Sequence, residues 1–150
     1  MELGLKLSKS MAPTTPDEIT QMKSVPYASA VRLLMYLAVA THPDIAYAVG
    51  VLFRFTQDPG ITHWKAVKHL FRYLKGTQDY NLTFSPTTSC EPFQAYSDAD
   101  HASNVDNGKL TSGYLIKIGS RAVSWSSIAL STTEAEYIAA VHAGKEVIWF

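Results

Sequence analysis

The chain has 150 residues, 47% of them hydrophobic and 11% aromatic, with 13 basic side chains against 13 acidic ones. This excludes a disordered polyelectrolyte, which needs low hydrophobicity and high net charge, and leaves room for one ordinary domain or pieces of two. No apolar run approaches the roughly 20 residues that span a bilayer, no apolar signal core of about 7–15 residues follows Met1, and the single cysteine, Cys90, has no partner for an internal disulfide.

Residues 1–25 are polar and rich in Ser, Thr and Pro, which predicts a flexible arm. From Tyr27 the pattern turns helical. Ala30, Leu33, Leu34, Leu37 and Ala38 share one face, and Thr41-His42-Pro43 ends that helix. A second helix is predicted to open at Pro43, with Ile45, Val49, Leu52 and Phe53 as its apolar face. After the Asp58-Pro59-Gly60 turn, a third helix is predicted from Thr62 as its cap to Lys75. Its apolar stripe is read as Trp64, Val67, Leu70, Phe71 and Leu74, with Gly76 as the closing glycine.

Beyond Gly76 the hydrophobic period switches to two. Leu82 and Phe84 suggest a short strand, and Phe93–Asp98 a second. Ser112–Ile118 and Arg121–Ser126 read as a hairpin around a glycine-first two-residue turn, Gly119-Ser120. Ser131-Thr132-Thr133-Glu134 has the form of a capping box and opens a last helix through Tyr137, Ile138, Val141 and Val147. The expected class is α+β. A helical segment over 26–78 precedes a small antiparallel sheet with one helix over 79–150.

The charge is divided between these halves. Residues 1–76 carry nine Lys/Arg and five Asp/Glu, and residues 77–150 carry four and eight. A basic half suits phosphates and an acidic half suits cations. In the third helix Lys65, Lys68, Arg72 and Lys75 recur at spacings of three and four with no acid among them. That stripe fits a phosphate backbone, and equally the solvated face of an amphipathic helix. In the second half Asp98, Asp100 and Asp106 are oxygen donors suited to Mg²⁺, or simply polar residues where a strand runs out into a loop. Glu134 and Glu136 lie about 200° apart around a helix, so at most one of them joins Asp98. The five histidines show no metal-ligand spacing, and there is no phosphate loop, nucleophile elbow or dinucleotide fingerprint.

Several blocks resemble the Pol polyproteins of copia-type retrotransposons. They are Val25-Pro26-Tyr27, Leu34-Met35-Tyr36-Leu37, His42-Pro43-Asp44-Ile45-Ala46, His63-Trp64-Lys65-Ala66-Val67-Lys68 and Arg72-Tyr73-Leu74-Lys75-Gly76-Thr77, then Tyr96-Ser97-Asp98-Ala99-Asp100, Thr111-Ser112-Gly113-Tyr114 and Leu130-Ser131-Thr132-Thr133-Glu134-Ala135-Glu136-Tyr137. They stand in family order, and the match runs from about Leu5 to Phe150. The resemblance implies a reverse-transcriptase C-terminal (thumb or connection) segment followed by the N-terminal part of an RNase H domain with an incomplete three-stranded sheet. That family cuts the RNA of RNA–DNA hybrids with two Mg²⁺ ions held by four acids. By motif, Asp98 and Glu136 match two of the four, and the other two fall past Phe150. Two carboxylates are expected to hold one Mg²⁺ weakly and not to clamp a pair of ions about 3.5–4 Å apart.

This sequence also departs from the family. His101 stands for a Trp, Asn104 for an acid and Arg32 for a small residue, and the link from Trp125 to Leu130 is short. The expectation is therefore a truncated Pol fragment of cytoplasm or nucleus, without catalysis of its own, and at most weakly bound to RNA–DNA hybrid or other nucleic acid. Its first sheet strand is expected as an open edge able to pair with another protein. Two alternatives stand beside it. One is a residual nuclease completed in trans. The other is an adopted interaction protein such as a secreted pathogen effector, since Arg32-Leu33-Leu34-Met35 comes within one residue of the R-x-L-R motif.

Overall fold

The computed structural model describes residues 6–80, 93–100, 106, 110–119, 121–130, 141 and 144. The chain forms two compact units, Met1–Asp79 and Tyr80–Phe150. The first is helical and the second is built on an antiparallel sheet, so the class is α+β.

Within the expected flexible arm, residues 9–11 and 16–23 are helical instead. A 3₁₀ turn at Lys9–Met11 is followed by helix α1, Pro16–Lys23. Thr15 caps α1 by accepting from the Glu18 N–H, while the Glu18 carboxylate accepts from the N–H groups of Thr14 (3.1 Å) and Thr15 (3.3 Å). This reciprocal box satisfies donors that a helix N-terminus otherwise leaves open. Leu7 is buried in the core of the helical unit, and Met22 of α1 is buried as well.

Helix α2, Tyr27–Ala40, ends at Thr41 as the His42-Pro43 sequence requires. Pro43–Ile45 makes one 3₁₀ turn before helix α3, Ala46–Phe53, so the second helix starts three residues later than its proline suggests. Helix α4, Ile61–Gly76, takes Gly60 as its cap and places Thr62 inside its first turn. Gly76 does not adopt a left-handed conformation. Thr77 ends the helix, its N–H and hydroxyl both donating to the Tyr73 carbonyl at 3.0 Å.

The core of this unit joins Tyr27, Val31 and Leu34 of α2, Val49 and Leu52 of α3, and Val67 and Leu70 of α4. Tyr27 links three helices. Its hydroxyl donates to the Leu52 carbonyl at 2.8 Å, and its ring meets Trp64 edge-on at 6.5 Å. Burial pushes its phenol pKa up, so it remains a neutral donor.

The second unit contains strands β1 (Gln94–Asp100), β2 (Leu110–Ile118) and β3 (Arg121–Leu130) in the order β1-β2-β3. The pairing Ile118↔Arg121 closes the β2–β3 hairpin where the sequence expectation put its turn, and Gly119 has φ +62°, a conformation that favours glycine. The β2–β3 register shifts by one residue between Ile116 and Lys117, a bulge that increases local twist. Among the described residues β1 pairs on one side only, so it is an edge of this sheet. The short strand expected around Leu82–Phe84 and the capping box at Ser131–Glu134 lie outside the described residues. Val141 and Gly144 are helical.

Candidate nucleic-acid interface and the acidic strand

Helix α4 is amphipathic, and its burial decides which side chains remain available. His63, Ala66, Val67 and Leu70 face the core. Lys65, Lys68, Arg72 and Lys75 are all exposed, and at 100° per residue they fall within about 80° of one another on the opposite side. From Lys65 to Lys75 the stripe runs about 15 Å, comparable to some four phosphate steps of one nucleic-acid strand. The helix contains no Asp or Glu. The apolar stripe itself differs from the sequence expectation. Phe71 is 38% exposed and Trp64 half-buried, and the core position is filled by a histidine.

That histidine holds the N-terminal end of α4. His63 Nδ1 accepts from the Gly60 N–H at 2.8 Å, so the ring proton lies on Nε2, which reaches the Ser8 carbonyl at 3.2 Å. Its ring stacks on Phe55 with centroids 4.2 Å apart and planes at 18°. One buried side chain thereby joins the Ser8 segment, the residues after α3 and the start of α4. The sequence signal was its place three residues after a cap, where a side chain reaches back to the cap N–H. Nearer the other end of α4, the Tyr73 hydroxyl donates to Asp44 Oδ2 at 2.7 Å. Anchored near both ends, α4 presents its cations on a fixed face.

Asp98 is exposed and lies within β1, opposite Gly113, with the strand continuing to Asp100. The expectation that Asp98 ends the strand is thus corrected by two residues, because the β1–β2 ladder extends to Asp100↔Thr111. Glu136 lies outside the described residues, as does its distance from Asp98. Among the described residues no group of three or more His, Cys, Asp or Glu is placed to hold a metal ion. Of the pair expected to bind Mg²⁺, only Asp98 is among the described residues.

Arg32-Leu33-Leu34-Met35 lies in the middle of α2, with Leu34 fully buried. Arg32 and Leu33 are exposed, so the segment is presented as part of a helix rather than as an extended linear motif. No described helix is long and apolar enough to cross a membrane.

No family model and no solved structure matches the chain. Curated relatives do. The chain is 52% identical over 97% of its length to the retrovirus-related Pol polyprotein from transposon TNT 1-94 of Nicotiana tabacum, spanning 11% of that protein. It is 38% identical over 82% of its length to the Pol polyprotein from transposon RE2 of Arabidopsis thaliana, spanning 9% of it. It is also 49% identical over 85% of its length to secreted RxLR effector protein 161 of Plasmopara viticola, of which it spans 93%. The ordered sequence blocks and these identities agree: the chain belongs to the retrovirus-related Pol polyproteins of copia-type transposons.

Proposed function

We propose that this Pol-derived segment, taken by itself, is a weak, sequence-independent nucleic-acid-binding module of cytoplasm or nucleus that does not cut RNA. The observation that carries the reading is the acid-free stripe Lys65, Lys68, Arg72 and Lys75, exposed along one face of an anchored helix. Each phosphate contact releases condensed counterions, so binding by four cations weakens steeply with salt. With all four engaged, the log–log slope approaches about −3.6 on duplex and −2.8 on single strands. The absence of catalysis follows from the two matched acids, Asp98 and Glu136, which are too few to clamp a metal pair. A weakly held single Mg²⁺ at those two carboxylates belongs to the same proposal.

A labelled RNA–DNA hybrid tests both parts. Binding is expected in low salt, and replacing all four cations with Gln flattens the salt dependence. No cleavage is expected with Mg²⁺. Absence of low-salt binding would reduce the stripe to a solvated face. Steady cleavage abolished by both Asp98→Asn and Glu136→Gln would show that acids are supplied in trans.

A second reading has its own support. The effector relative is nearly coextensive with this chain, and its name describes a secreted protein. An adopted interaction protein would work through protein contacts, for which β1, an edge of the sheet among the described residues, is the candidate surface. Detection of the chain outside the cells that express it would favour that reading. Retention inside them, with salt-dependent nucleic-acid binding, favours the first.

A further inference from the structure

Resting on the nucleic-acid reading, we infer that the α4 surface takes an unpaired strand in preference to a duplex, with Phe71 as a stacking platform for a base. Trp64, Lys68, Phe71 and Lys75 follow one another at spacings of four, three and four. At 100° per residue they fall within about 60° of each other, so aromatic and cationic side chains alternate along one row of α4. Lys65 and Arg72 form a second, purely cationic row beside it. The aromatic members differ in their surroundings. Trp64 packs against the core and meets Tyr27 edge-on, whereas Phe71 is 38% exposed.

The exposed part of the Phe71 ring leaves apolar surface in water between lysines. A ligand that offers phosphates and flat apolar surface together uses both. Within a duplex the base faces are already stacked, so a duplex presents Phe71 with phosphates and little else. An unpaired strand presents base faces and phosphates in alternation, which is the pattern of this row. Stacking is tolerant of base identity, so the preference is for strandedness, not sequence.

The test compares an unstructured labelled oligonucleotide with its blunt duplex, both titrated with the full chain in low salt by fluorescence anisotropy. Wild type is expected to bind the single strand more tightly. Phe71→Leu keeps an apolar side chain without an aromatic face, and is expected to weaken strand binding at least about 5-fold, the low end for one stacked base. Its duplex affinity and its salt slope should not move. Phe71→Trp should restore strand binding and show quenching by the strand, beyond that of wild type, that the duplex does not produce. Should Phe71→Leu lose its helical circular dichroism, this quenching decides the matter alone.

Equal strand affinity for wild type and a folded Phe71→Leu variant, or no extra quenching in Phe71→Trp, would overturn the inference while leaving the cationic stripe in place. No binding of either probe by wild type would instead remove the nucleic-acid reading, and this inference with it.

Discussion

Replacing His63 tests how the helical unit is held together. The side chain is fully buried, accepts from Gly60, reaches Ser8 and stacks on Phe55. His63→Leu keeps the apolar bulk but removes the acceptor, the donor and the ring. Gly60 is itself buried, so its N–H finds no water in exchange, and such an orphaned group costs about 1–3 kcal/mol. The Ser8 carbonyl is partly exposed and recovers a water, while the lost ring stack adds about 0.5–1.5 kcal/mol. The expected loss is about 2–4 kcal/mol, large against the roughly 5–15 kcal/mol that stabilises a domain.

His63→Gln is the informative control. From the third position of the helix, Gln can reach back to the cap N–H, and should recover about 1 kcal/mol of that loss. Urea titrations of the full chain, followed by helical circular dichroism, give both numbers. Amide exchange at Met11 and Ala12 reports whether the N-terminal segment loosens first. A Leu variant within about 0.5 kcal/mol of wild type, the range of ordinary surface changes, would refute the argument. So would a Gln variant no better than Leu, since the hydrogen bond to Gly60 would then contribute nothing.

Gly60→Ala is expected to destabilise the same unit by about 1–3 kcal/mol, because a Cβ there would overlap the Met11 carbonyl oxygen and force backbone to move. An unchanged Tm would show that the Lys9–Met11 turn is not seated against α4. The α1 cap should be acid-sensitive. Hydrogen bonds from the Thr14 and Thr15 backbone, with the Thr15 side chain, hold the Glu18 carboxyl below its usual value of 4.5. A depressed carboxyl contributes its stabilisation fully above the unfolded value and loses it as pH falls through the folded one. Amide protection in α1 should therefore decline in acid below the usual carboxylate range and become less acid-dependent in Glu18→Gln. Equal acid dependence in both proteins would refute the cap's role.

Local signals were legible in the sequence. The α2 termination before Pro43, the amphipathic character of α4 and the β2–β3 hairpin at Gly119 each depend on residues close in the chain. So does the family, since its blocks are contiguous runs. The capping box Thr15–Glu18 is equally local, but the reading of 1–25 as an arm rested on its abundance of Ser, Thr and Pro alone.

Tertiary structure decided what local pattern leaves open. Composition cannot reveal that Leu7 and the Ser8 carbonyl have partners in the helical unit, because those contacts reach as far as 55 positions along the chain. Periodicity placed Phe71 on the apolar stripe, since it counts hydrophobicity alone. Packing left Phe71 at the edge and filled the core with His63, whose polar atoms are satisfied by groups that folding brings to it. The sequence by itself determined the class, the family and the charge on α4. Only the tertiary structure determined which α4 side chains remain on the surface, because that depends on which face the rest of the unit covers.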